Sequence, residues 1–126
     1  MQIPEDLLYN DEHEWIQRKD GSVVRIGISD YAQDQLGDVV FVELPIDGST
    51  VAKNDLLVEI ESTKSVGEVY APFAGTVVAI NQAVADSPEL VNTSPYGEGW
   101  LVEIEVAGEF SEEGLVDAAA YKDLTE

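Results

Sequence analysis

Apolar and polar residues along this chain fall into short runs with a period of two, or into brief apolar stretches between turn residues, and both patterns belong to strands. Five segments read this way: 22–28 (SVVRIGI), 39–44 (VVFVEL), 57–61 (LVEIE), 75–80 (GTVVAI) and 101–106 (LVEIEV). In 58–61 and 102–105, valine and isoleucine alternate with glutamate, so the apolar side chains face a core and the acids face water. Two segments break the period. Residues 29–37 (SDYAQDQLG) open on a capping serine and stop at a glycine, which predicts a short helix. Residues 111–122 open on Ser111, place Glu112 and Glu113 where a helix dipole favours acids, and run into three alanines, which predicts a C-terminal helix.

The strands repeat. Gly37-Asp-Val-Val-Phe-Val lines up with Gly75-Thr-Val-Val-Ala-Ile, and LVEIE at 57–61 recurs at 101–105. The offset is 38 residues for the first pair and 44 for the second, so the later copy carries extra residues, expected in the 92–99 turn region. Two similar strand units should therefore pack as a pseudo-symmetric pair, mainly β, with a short internal helix and a C-terminal helix. No linker or low-complexity stretch interrupts them, so residues 1–126 are expected to form one domain, with a core over about 22–106 and a helical segment over about 111–122.

Composition narrows the chemistry. There is no cysteine, so disulfides, thiolate metal sites and thiol nucleophiles are excluded, and redox chemistry would have to arrive on a bound group. The single histidine, His13, has no second soft ligand near it in sequence, so packing or a strand-edge role is expected and no metal is assigned. With 26 acidic and 6 basic residues, the net charge of -20 disfavours nucleic acid and anionic membranes and suits either a solubilising shell or docking on basic protein surfaces. No run of about 18 apolar residues occurs and the start lacks signal-peptide character, so a soluble cytoplasmic protein is expected.

Between the two copies lies EST-K-SVGEVYAP, which puts Lys64 in a polar tip flanked by strand-like runs. It is the only basic residue between Lys53 and Lys122. A lysine that tethers a cofactor must stand on a stiff support with its amine free in water, and a hairpin tip meets that need, although most turn lysines carry nothing. A Schiff-base role would need burial or a neighbouring cation, whereas the neighbours here are Glu61 and Glu68.

Duplicated strand units in a flattened barrel-sandwich, with a lysine in the hairpin between the halves, resemble the lipoyl and biotinyl carrier fold. The segment from Glu61 to Gly75 resembles the lipoylation site of glycine cleavage system H proteins, with an acid three residues before the lysine and a glycine eleven after it. HEW at 13–15, GISDYAQDQLGDVVFVELP at 27–45 and LVNTSPYGEGWL at 90–101 are similar to the same family, so the likeness covers most of the chain. Biotin carriers flank their lysine with methionine, and the only methionine here is Met1; the lipoyl domains of 2-oxo acid dehydrogenases have an Asp-Lys-Ala tip, also missing. Thr63 and Glu68 depart from the commoner valine and aspartate.

The resemblance implies a non-catalytic carrier with lipoate covalently attached as N6-lipoyllysine at Lys64, recognised by its modifying enzyme through Glu61 and Gly75. It implies a cycle in which the arm takes methylamine from glycine decarboxylase (P protein), delivers it to aminomethyltransferase (T protein) and is reoxidised by dihydrolipoyl dehydrogenase (L protein). A lipoate-protein ligase or octanoyltransferase would install the group. Glu14 and Glu68 would line a cleft for the loaded arm, and a monomer is expected. The alternatives are an H-like relay of lipoyl or octanoyl groups in lipoate assembly, and an unmodified interaction domain of the same fold.

Overall fold

A computed structural model describes residues 2–125. Strands β1 (Leu8–Tyr9), β2 (Glu14–Arg18) and β3 (Val23–Ile28) lead into helix α1 (Asp30–Leu36). Strands β4 (Val39–Glu43), β5 (Thr50–Val51), β6 (Leu56–Ser62), β7 (Val66–Tyr70) and β8 (Gly75–Ile80) follow, then helices α2 (Gln82–Asp86) and α3 (Leu90–Thr93), strand β9 (Val102–Val106) and helix α4 (Ala118–Thr125). They form two antiparallel sheets, one of six strands in the order β1-β2-β3-β9-β8-β5 and one of three in the order β4-β6-β7. The result is a mainly β, flattened sandwich with short helices. No described helix is long and apolar enough to cross a membrane.

Alternation decides which side chains fill the space between the sheets. Val58 and Ile60 of β6, and Val102 and Ile104 of β9, are buried with Ile26, Val42 and Val77, while Glu59 and Glu103 between them are half-buried and Glu61 and Glu105 that follow are exposed. Apolar burial of this kind is the main favourable term in folding.

The two copies of the repeat form equivalent pairs, β4 with β6 and β8 with β9. Each pair is interrupted at the same repeat position, between Val39 and Phe41 in one and between Val77 and Ala79 in the other. The register differs. Val39 faces Ser62, but its counterpart Val77 faces Ile104, which corresponds to Ile60. A slip of two positions along the partner strand keeps every side chain on its own face, so the core survives it where a slip of one would not. The halves also interlock, because β5 pairs with β8 and β7 with β6.

Two expected boundaries need correction. The core does not begin at residue 22: Ile16 joins the main cluster, and Leu7, Tyr9 and Trp15 build a second cluster with Ala118 and Tyr121. The C-terminal helix does not run over 111–122 but begins at Ala118. Gly114 adopts φ +83, and Val116 exchanges backbone hydrogen bonds of 2.7 and 2.8 Å with Tyr9, so this stretch extends beside β1. The helix then starts from Asp117, whose Oδ1 accepts from the Ala120 N–H at 2.9 Å. At the other helix the expected cap is present, with Ser29 Oγ accepting from Ala32 N–H. The β8 to β9 connection of the second copy includes α2 and α3, where the β4 to β6 connection of the first has β5.

Candidate functional site

Lys64 lies in the loop that joins β6 to β7, and it is exposed. The tip is held by its backbone. Ser62 N–H donates to the Ser65 carbonyl at 2.8 Å, Ser62 Oγ accepts from the N–H groups of Lys64 (3.3 Å) and Ser65 (3.0 Å), and Thr63 N–H donates to the Asp38 carbonyl at 3.0 Å. None of these bonds uses the lysine side chain. Its stem runs past Gly37, where an added Cβ would sit 3.0 Å from Lys64 Cε; with φ +88, Gly37 is also in the region that favours glycine. Gly37 is fixed from the far side by Asn92, whose side chain donates to the Gly37 carbonyl and to Gln33 and accepts from Val39 N–H. The 90–101 segment thus supports the lysine's surroundings from below.

Beside the tip, between α1 and the β7 edge, opens a cleft of about 390 Å³. Its apolar wall includes Ile28, Leu36, Ile60 and Val69, and its polar groups are Glu12, His13, Tyr31, Gln35, Ser65 and Glu68. Ser65 is the residue next to Lys64, so the cleft starts where the lysine ends. An apolar wall suits a hydrocarbon arm, and carboxylates at its rim suit a cation at the arm's end.

Glu14 and Glu68 are not in the same cavity. Glu68 lines this cleft, whereas Glu14 lines a second one of about 250 Å³ with Asp11, Lys53 and Glu113; Glu12 borders both. Glu14 is only 1% exposed, and both carboxylate oxygens are engaged, Oε1 by Asn10 Nδ2–H at 2.8 Å and Oε2 by Tyr70 N–H at 2.9 Å. It therefore joins β2 of one sheet to the free edge of β7 in the other. Burial, opposed only in part by these hydrogen bonds, pushes the Glu14 carboxyl up to about 7 from 4.5.

That shift has a defined pH signature. Because the native state holds the Glu14 proton more tightly than the unfolded chain, the contribution of Glu14 to stability is fully present below about 4.5 and is lost as pH rises through about 7. The penalty at higher pH is on the order of 3 kcal/mol. Denaturant unfolding at pH 5 and pH 8 should show wild type losing stability relative to Glu14→Gln by roughly that amount. A gap between the two proteins that does not change with pH would refute the buried, raised carboxyl.

The outer face of the three-stranded sheet bears a row of like charges, since Glu43 faces Glu59 and Glu59 faces Glu68. The next row toward the tip is Phe41, Glu61 and Val66, with Phe41 48% and Val66 53% exposed. Glu61 thus stands exposed at the base of the lysine's own hairpin, while Gly75 lies on β8 in the other sheet. Sequence reasoning missed Glu12 and the whole of β2. Glu14, Trp15 and Ile16 are consecutive and all buried, so no alternation marks that strand. It gave His13 packing or a strand-edge role and no chemistry; His13 lines the cleft.

Residues 7–126 match the family model described as glycine cleavage H-protein. The chain is 55% identical over 124 residues to the glycine cleavage system H protein of Mycolicibacterium smegmatis, covering 96% of this chain and 95% of that one. It is 51% identical over 122 residues to the glycine cleavage system H protein of Listeria monocytogenes serotype 4a, covering 97% of each. A crystal structure of a glycine cleavage system H protein from Mycobacterium marinum superposes with a TM-score of 0.86 at 38% identity, over 97% of this chain and 98% of that one.

Proposed function

This chain belongs to the glycine cleavage H-protein family, and from that premise we propose that Lys64 is the residue on which it carries lipoate. Its role is that of the carrier component of the glycine cleavage system, and it is not an enzyme. The observation that supports Lys64 is an exposed amine on a loop fixed by backbone hydrogen bonds, with a cleft opening at the next residue. Bound lipoate would supply a dithiolane that takes up methylamine and is later reoxidised. The chain's own residues do the rest. Residues 1–126 act as one carrier domain, in the cytoplasm and as a monomer.

Glu68 and Glu12 receive the cationic amine of the cargo in the cleft, and Ile60 and Val69 keep water from its carbon. An ammonium has no lone pair with which to expel the neighbouring sulfur, so a carboxylate that holds the proton on nitrogen keeps the cargo attached. Glu14 acts on the same cleft at one remove, by fixing the β7 edge through Tyr70 while Glu68 projects from that strand. Glu61, on the hairpin's outer face, is the side chain the ligase or octanoyltransferase reads. Glycine decarboxylase, aminomethyltransferase and dihydrolipoyl dehydrogenase are the clients, and the acidic face with Phe41 and Val66 beside the lysine suits basic, partly apolar docking surfaces on them.

The test is the lifetime of methylamine-loaded protein in buffer without partner enzymes. Loss of one charge-assisted contact, worth about 1.5–3 kcal/mol, should shorten it by roughly tenfold or more in Glu68→Gln and Glu12→Gln. Glu14→Gln should have a smaller effect, and Glu112→Gln, far along the chain, none. Equal lifetimes for all of them would remove the clamp.

A further inference from the structure

The only histidine of the chain sits in the cleft wall with an uncommon backbone. His13 adopts φ +63, with its N–H donating to the Asn10 carbonyl at 3.2 Å and its carbonyl accepting from Ser29 N–H at 2.9 Å. A non-glycine residue in this region is strained, and it persists where the surroundings over-determine it. The ring is confined by Tyr31, at 4.8 Å between centroids, and by the edge of Tyr121, at 5.7 Å.

Tyr121 comes from α4, at the far end of the chain, and its hydroxyl lies 2.8 Å from His13 Nδ1 and 2.6 Å from Ser29 Oγ. The hydrogens of this chain of three groups can run in two directions. Ser29 is 0% exposed, and its Oγ already accepts from Ala32 N–H. If Tyr121 donated to Ser29, the serine's own hydrogen would be buried without an acceptor, which costs about 1–3 kcal/mol. In the other direction every hydrogen is used: Ser29 donates to Tyr121, and Tyr121 donates to His13 Nδ1. Burial raises the Tyr121 hydroxyl above its ordinary range, so it stays an O–H donor. Nδ1 is then bare and the ring proton resides on Nε2, which has no hydrogen-bond partner among the described residues.

We infer that Tyr121 is a positioning residue of the cleft, holding His13 as the Nε2–H tautomer so that the ring offers a neutral donor to the amide carbonyl of the arm. It complements the carboxylates: Glu12 and Glu68 meet the cation, and His13 meets an acceptor. This assignment of a donor to the arm rests on the reading of the cleft proposed above, whereas the tautomer does not.

With one histidine in the chain, the imidazole nitrogens can be read without overlap in a two-bond proton–nitrogen correlation spectrum of labelled protein at about pH 8. Wild type should show the Nε2–H pattern alone. Tyr121→Phe keeps the ring that stacks on Tyr9 at 4.5 Å and should lose that pattern, giving a mixture of tautomers. Tyr9→Phe deletes a hydroxyl from the same cluster, one that donates to Pro4, and should leave it intact. On loading with methylamine the Nε2–H signal should shift, and Tyr121→Phe should release the cargo about fivefold faster, the size of one neutral hydrogen bond. An Nδ1–H pattern in wild type, or an unchanged pattern in Tyr121→Phe, overturns the inference. So does an Nε2–H signal that ignores loading while Glu68→Gln still shortens the lifetime; an unaffected lifetime in Glu68→Gln instead overturns the cleft reading.

Discussion

Lys64→Arg should abolish lipoylation and glycine-dependent carrier activity while leaving stability within about 0.5 kcal/mol of wild type. The modifying enzyme forms an amide, which needs a neutral primary amine as nucleophile, and a guanidinium is held cationic and delocalised. The fold has no stake in the amine. The tip is organised by Ser62 and by the backbones of Thr63, Ser65 and Asp38, and an arginine stem can pass Gly37 as the lysine stem does. Intact mass after coexpression with a ligase should show the lipoyl increment for wild type and for Lys53→Arg, and none for Lys64→Arg. Modification of Lys64→Arg at another lysine, or unfolding of that variant, would show that the tip is not the attachment point.

Much of this arrangement is legible in the sequence because it rests on local rules. Alternation in LVEIE fixes which side chains of β6 and β9 face inward, and the repetition of that string foretells that the strands occupy equivalent places. Ser29 and Gly37 bound α1 where capping chemistry puts them. The polar string at 62–65 between two strands gives a hairpin, and with it an exposed Lys64. What could not be read depends on tertiary partners. A buried glutamate looks like any other of the 26 acids until Asn10 and the Tyr70 N–H are seen to receive it. The stretch 111–117 has the composition of a helix start, but pairing of Val116 with Tyr9 outweighs the propensity, and Gly114 allows the turn. Nothing local links Tyr121 to His13, which are 108 residues apart.

Gly75→Ala should strongly destabilise the six-stranded sheet, and its outcome separates two reasons for the glycine that heads the second copy of the repeat. A Cβ at this position would collide with the Glu105 carbonyl oxygen and lie 2.8 Å from Ile104 Cγ2 and 3.0 Å from the Glu105 carbonyl carbon. Two of these atoms are backbone of the neighbouring strand, so no rotamer change relieves the contact, and β8 must move away from β9. Overpacking in a well-packed region costs about 1–3 kcal/mol, and an obstacle made of backbone belongs at or above the upper end of that range, against a total stability of about 5–15 kcal/mol for a domain. Its counterpart Gly37 is glycine for a different reason, a φ of +88 and the passage of the lysine stem, so the duplicated glycine serves chain geometry in one half and strand packing in the other. The family pattern around Lys64 includes Gly75, which suggests direct reading by the ligase, but β8 belongs to the sheet opposite the lysine's hairpin. We expect Gly75→Ala to unfold at a denaturant concentration well below wild type and, where it is still folded, to be lipoylated at the wild-type rate. A rate that falls further than the folded fraction does would mean that the ligase touches Gly75 itself, and wild-type stability would mean that β8 and β9 are not packed as closely as this.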